Sequence, residues 1–354
     1  MRQDAGNLRT IAGKNSIVST TLFRIRFALQ FWTSVLNNDH NFMKHILYIL
    51  VFWTLCLMSF ASANGQKLSD SELKTFLITA TEKTSEYSNV FKNLTTEEIK
   101  IFETFDKDGK TKSRKKILSD LIVYEPEMGE GKLGEFRNVR EVDGRKIKNS
   151  DKRTVKVFAG LAEAKSFEEE LKKLNKESSR YDENLSVYGL TLTQFVPLAS
   201  SLISSFKFEE IGRENIEGKE ALVIKFQQTS VNPNINLKIN APDCFEISNT
   251  FYRGTVWLDL KNHRILRLFT ELTVESAKFT EPFVTLRQEY YYQPSDFEIY
   301  LPRKIVSENF TPQTDKDVKL LLKTGKAKLL PQLQTRLIME YKNFSKFNVT
   351  VKSN

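Results

Sequence analysis

Reactive side chains are scarce downstream of residue 63, where the chain holds one cysteine (Cys244), one histidine (His263) and one tryptophan (Trp257). A single thiol closes no internal disulfide. One Cys with one His cannot assemble the usual His/Cys zinc site of three or four ligands. No G-x-S-x-G elbow presents a serine nucleophile, and no Walker A loop offers its lysine and hydroxyl to a phosphate. Two carboxylates would suffice for glycoside chemistry, yet no particular Asp/Glu pair stands out. Cys244, in the loop Ala241-Pro242-Asp243-Cys244-Phe245, has no basic neighbour in sequence to lower its pKa. His263 falls in a turn signal, Lys261-Asn262-His263, and reads as a solvated turn residue. The expectation is therefore a non-enzymatic protein with no cofactor and no metal.

Charge narrows the partners further. Residues 64–354 carry 47 Lys/Arg against 42 Asp/Glu, a net +5 spread along the chain. A nucleic-acid footprint needs a concentrated basic patch, so no nucleic-acid partner is expected. The one dense basic run, Lys110-Thr-Lys-Ser-Arg-Lys-Lys116, has no interleaved aromatics. It reads as a solvated hairpin arm, with contact to anionic lipid headgroups at a membrane surface as the functional alternative.

The stretch from Met43 reads MKHILYILVFWTLCLMSFASANGQ. Lys44 supplies a short positive start, Ile46 to Met58 an apolar run, and Ala61-Ser62-Ala63 the small-residue exit of a secretory signal peptide. Met43–Ala63 is thus expected to direct export, to the periplasm or an equivalent compartment. Retention as a membrane anchor is the competing reading, because Ile46 to Ala63 is at the short limit for a bilayer span. Residues 1–42 read as a leader or as a mis-assigned start, without a domain of their own. The working part is 64–354, long enough for one sizeable core.

That part opens with a helix. Ser69-Asp70-Ser71-Glu72 offers a capping box, and Leu73, Phe76, Leu77, Ala80 and Tyr87 recur at helical spacing up to about Asn93. Alternating segments separated by turn residues follow: 99–105 and 115–124 around Gly109, then 135–142 and 145–147 across Asp143-Gly144. Next come 208–213 and 220–227 across Glu217-Gly218, 254–260 and 265–274, and finally 283–292, 300–310 and 333–344. Short turns of this chemistry join antiparallel neighbours, since parallel ones need long crossovers. A charged helical insertion is expected at about 161–184, an uncharged apolar cover at 185–206, an irregular loop at 229–250, and a weakly helical segment at 315–328. The fold class is mainly β (α+β): a large curved antiparallel sheet, half-barrel-like, covered by helices.

The segment Arg253-Gly-Thr-Val-Trp-Leu-Asp259, followed by Arg264-Ile-Leu-Arg-Leu268, resembles the bacterial outer-membrane lipoprotein-sorting (LolA/LolB-like) superfamily. The resemblance implies an open half-barrel lidded by helices, whose concave apolar face holds acyl chains without catalysis. Its implied partner is a lipid or an acylated lipoprotein. The chain is longer than typical carriers of that kind, and the 161–184 segment reads as an insertion. Alternation places Leu222, Ile224, Phe226, Val256, Leu258, Leu266 and Leu268 on one face as candidate ligand-binding residues. A filled core would present the same pattern. The alternative function is an envelope structural or interaction protein that binds another protein through its sheet or helices. Arg253 and Asp259, flanking the strand, read as an exposed pair of little energetic weight, and Trp257 as a ring packed under a helix. Five N-x-[ST] sequons, at Asn93, Asn184, Asn309, Asn343 and Asn348, are read as chance beside the bacterial resemblance.

Overall fold

The fold was described from a computed structural model, which describes residues 67–125, 133–161, 165–182, 196–230, 249–275, 281–312, 323 and 330–346. The chain divides into two compact units, Met1–Gln66 and Lys67–Asn354. The second holds all the described elements. The expected signal segment, Cys244, residues 185–195 and most of 315–328 lie outside the described residues.

Helix α1 (Asp70–Ser85) starts where Ser69 and Glu72 close a reciprocal capping box. Ser69 Oγ accepts from the Glu72 amide at 3.3 Å, and Glu72 Oε2 accepts from the Ser69 amide at 2.8 Å. These hydrogen bonds hold the Glu72 carboxyl below its ordinary pKa. A short α2 (Tyr87–Phe91) follows, and Asn93, at φ 60°, turns the chain into the sheet.

Strands β1 (Leu94–Phe105), β2 (Thr111–Tyr124), β3 (Gly134–Val142) and β4 (Arg145–Lys146) form one meander. Strands β5 (Phe206–Ile216), β6 (Lys219–Gln228), β7 (Asn249–Asp259), β8 (Ile265–Glu275), β9 (Phe283–Pro294), β10 (Tyr300–Pro312) and β11 (Pro331–Lys346) form another. The two meanders join because β11 lies between β10 and β1. The result is one curved, unclosed sheet in the order β4-β3-β2-β1-β11-β10-β9-β8-β7-β6-β5, antiparallel throughout. Two-residue turns at Asp143-Gly144 (φ 49° and 78°) and Glu217-Gly218 (φ 51° and 84°) have positive φ at both central positions, as type I′ hairpins require. Gly129-Glu-Gly-Lys-Leu-Gly134 has the spacing G-x-G-x-x-G, but it joins antiparallel strands β2 and β3. A dinucleotide loop instead needs a strand followed by a helix.

Between the meanders the sequence reading is corrected. The charged helix expected at about 161–184 is α4 (Phe167–Ser178), and a further helix, α3 (Ser150–Leu161), precedes it where none was expected. Ser166 caps α4 by accepting from the Glu169 amide at 3.2 Å, which makes a serine in mid-pattern a start signal. Both helices pack against β3. Leu174, Tyr124 and Phe136 form a small second core with Val157 and Phe158 beside it. From 196 onward the expected apolar cover consists of two 3₁₀ turns, Val196–Leu198 and Ile203–Ser205, with Leu198 and Leu202 buried.

Register sorts the side chains onto two faces. Along the inner face one row runs Glu210, Ile224, Val256, Leu268, Tyr290, Ile305, Met339, Lys100 and Ile117, a residue from each of nine successive strands. Along the outer face another runs Arg253, Glu271, Arg287, Glu308, Arg336, Glu103 and Arg114, alternating in sign across seven strands. Consecutive members are ion-paired at 2.8, 2.9, 3.8, 2.8, 3.5 and 3.5 Å.

Candidate functional site

The seven sequence-predicted residues share the inner face, and none is more than 4 % exposed. Leu222 pairs with Leu258 and Ile224 with Val256, while Val256 pairs in turn with Leu268. A bulge after Trp257 sets Ile265 opposite Leu258 and leaves Leu266 beside it. Phe226 lies opposite Gly254, and an added Cβ at Gly254 would stand 2.7 Å from the Phe226 ring and 1.9 Å from the Phe269 carbonyl oxygen. The glycine of the Arg253–Asp259 segment is therefore there for close approach.

Helix α1 and the 3₁₀ turns cover this end of the face. Phe76, Leu77 and Ala80 of α1 join the same core as the seven, together with Leu198 and Leu202. Three polar or aromatic contacts fasten α1 down. The Leu68 amide donates to Glu210 Oε2 at 2.8 Å, Arg264 Nη2 donates to Glu86 Oε2 at 2.9 Å, and Phe76 lies 4.4 Å from the His263 ring. His263 is thus a turn residue at φ 60° that abuts the lid.

Moving towards β1, buried polar groups join the apolar ones on the face. Tyr87, Tyr290, Tyr292 and Tyr341 are almost wholly buried there. Burial pushes the phenols of Tyr87, Tyr290 and Tyr292 well up, so they are neutral at physiological pH. Beyond them lies a buried ionic network. Arg137 forks onto Glu98 at 2.7 and 3.1 Å and reaches Glu135 at 3.0 Å, while Lys100 donates to Asp182, just beyond α4, at 2.6 Å. Desolvation acts to raise the Glu98 pKa, but the charges of Arg137 and Lys100 and the hydrogen bonds outweigh it and hold the carboxyl low. Desolvation lowers the Lys100 pKa against the pull of Glu98 and Asp182. The seven apolar candidates thus occupy only the β6–β8 part of a longer face whose centre and far end mix apolar side chains such as Ile305, Met339, Phe102 and Ile117 with buried tyrosines and charges.

Three readings of the outer strands are corrected. Arg253 pairs with Glu271, not with Asp259. Asp259 is buried, accepts from the Tyr300 hydroxyl at 2.7 Å, and takes the Lys261 amide at 2.9 Å to hold the turn. Trp257 stacks with an arginine instead of the expected helix. Its ring lies on the outer face under the Arg267 guanidinium at 4.6 Å, and Nε1 donates to Glu214 at 2.9 Å. Among the described residues, no group of three or more His, Cys, Asp or Glu is placed to hold a metal ion. No described helix is long and apolar enough to cross a membrane, which says nothing of strands.

No family model matches the chain, and no curated protein matches it. Among solved structures it is similar to a LolA superfamily protein from Nitrosomonas europaea, at 9 % identity and a TM-score of 0.31, covering 77 % of this chain and 94 % of that one. It is similar also to an outer membrane lipoprotein-sorting protein domain from Vibrio parahaemolyticus, at 9 % identity and a TM-score of 0.32, covering 75 % and 93 %. A DUF1329 family protein from Desulfovibrio piger is a third, at 11 % identity and a TM-score of 0.29, covering 79 % and 94 %. The likeness is distant and one of outline.

Proposed function

We propose that the chain is an exported, non-enzymatic carrier or sensor of lipid or lipoprotein acyl chains, held on the inner face at Leu222, Ile224, Phe226, Val256, Leu258, Leu266 and Leu268. The observation that carries this reading is the way the face is closed. Every inner strand is hydrogen-bonded on both sides within the sheet, so α1 is a cover laid on a self-supporting floor. Phe76 and Leu77, at roughly 1.5–3 kcal/mol each for full burial, represent roughly 3–6 kcal/mol of lid contact. An acyl chain of about fifteen methylenes offers roughly 12 kcal/mol at ~0.8 per group. An acyl chain can therefore replace the lid's contacts.

A second reading rests on the depth of burial: with all seven residues at 4 % exposure or less, the same packing suits a filled core in an envelope protein that binds partners by its outer face or edges. One experiment separates the two. The exported chain is purified without detergent, extracted with organic solvent and analysed by mass spectrometry, and the extracted protein is offered cis-parinaric acid. Lipid near one per chain, or stoichiometric uptake of the probe, is the expected result. A lipid-free protein that ignores the probe refutes the carrier reading and leaves the interaction protein.

A further inference from the structure

Arg264 immediately precedes β8, next to Ile265 and Leu266 of the inner face, and its side chain is only 10 % exposed. Its Nη2 meets Glu86 Oε2, but its Nη1 is buried and has no hydrogen-bond partner among the described residues. Guanidinium and carboxylate ordinarily meet through two parallel hydrogen bonds, and this protein makes such a fork elsewhere, between Arg137 and Glu98. At Arg264 the fork is half used because Glu86 is shared. Its Oε1 is held by Lys83 at 2.7 Å, so it offers Arg264 a single oxygen. The remaining Arg264 contacts are backbone ones: its amide donates to Asn262 Oδ1 at 3.2 Å, and its carbonyl accepts from Asp259. Leaving one arm of a buried guanidinium unpaired is costly.

We infer that Arg264 is the head-group site of this face and takes the carboxylate of a single-chain amphiphile, a fatty acid, with Glu86 as the internal carboxylate that occupies it when the face is closed. This rests on the carrier reading and names its ligand class. Glu86 sits at the α1–α2 junction with its side chain 43 % exposed, so it can swing to solvent while keeping Lys83. Its carboxyl is held below the ordinary value, first by Lys83 and then, against desolvation, by Arg264, so it competes as an anion. A carboxylate in its place would use both Nη1 and Nη2, and its alkyl chain would run from Arg264 past Ile265 onto the lid-covered floor. The phenol of Tyr87 lies near enough to feel the Arg264 charge and, being neutral, does not oppose an anion there.

The test uses the full chain and displacement of the neutral dye Nile red by oleate, by methyl oleate and by oleoyl lysophosphatidate. Oleate should bind at least about tenfold more tightly than its methyl ester, the scale of one charge-assisted hydrogen bond. Arg264→Gln should remove that preference while sparing the ester. Glu86→Gln should tighten oleate alone, and it carries the test if the Arg264 variant does not fold. Equal binding of acid and ester, a preference that survives Arg264→Gln, or oleate unmoved by Glu86→Gln overturns the head-group site and leaves the carrier standing. Lysophosphatidate outcompeting oleate overturns the carboxylate assignment. Displacement by none of the three overturns the carrier reading itself.

Discussion

Gly254→Ala puts the largest stress on the smallest change. The added methyl would stand 1.9 Å from the Phe269 carbonyl oxygen, where real Cβ atoms essentially never come within 3.0 Å. The oxygen is part of β8 and cannot rotate away, so β7 and β8 must separate locally by about 1 Å or the strand must twist. Either response weakens the ladder around Gly254–Thr270 and drives the methyl towards the Phe226 ring, 2.7 Å away. Overpacking of this kind costs roughly 1–3 kcal/mol, and loss of two ladder hydrogen bonds adds about 1 kcal/mol each. The expected total is about 3–5 kcal/mol. Read by urea unfolding with unchanged m, at ~3 kcal/mol/M, this is a midpoint lowered by about 1–1.7 M. Gly218→Ala is the control: its φ of 84° imposes backbone strain, but no atom lies within 4 Å of the new methyl. It should cost about 1 kcal/mol. A Gly254→Ala protein within 1 kcal/mol of the native chain, or no worse than Gly218→Ala, refutes the close-approach argument.

Glu98→Gln leaves Arg137 without its principal counter-charge in a buried site and should cost about 3–5 kcal/mol. Arg114→Ala, at the half-exposed end of the outer ladder, should cost less than ~1 kcal/mol in the same denaturation assay. Because the folded state holds the Glu98 pKa below its unfolded value, its contribution is complete above about pH 4.5 and lost as pH falls through the lower folded value. Denaturation midpoints for the native chain should therefore drop below pH 4.5 more steeply than those of Glu98→Gln, and parallel curves would contradict this. Glu214→Ala removes the acceptor of the Trp257 indole and should move its N–H resonance upfield in a ¹H–¹⁵N spectrum, leaving the inner face unaffected.

Strand segments were legible because alternation and turn chemistry are local properties. Asp143-Gly144 and Glu217-Gly218 name their turns, and the Leu222-Ile224-Phe226 alternation names its face. The helix at 150–161 leaves no clear mark because charge density hides its periodicity, and the bounds of the one at 167–178 are blurred because its cap, Ser166, is a single residue. Pairing between β1 and β11 leaves no local trace, since the partners are more than two hundred residues apart. The buried ionic network of the inner face was missed for the same reason. Glu98 and Lys100 alternate with Ile99 and Ile101, a pattern that by itself turns the charges outward, and only the register shows that they are the inward residues and meet Arg137. Arg264 stood inside the segment that carried the family resemblance, but nothing in sequence places Glu86 above it. Arg253 and Arg267 were visible as charges, yet their counter-ions lie on neighbouring strands.

The place of β11 between β1 and β10 also governs the order of events during folding. Until residues 331–346 are available, β1 and β10 are two open edges in what will become the middle of the sheet, and the two meanders have no shared strand. A nascent chain can pair neighbours by local hairpins, but the contacts that unite them carry the greatest sequence separation and the largest loop-closure cost. Assembly is therefore late and cooperative, with the last strand acting as keystone. Because the keystone strand follows every strand it joins, the compact state is postponed until residues 331–346 have been made.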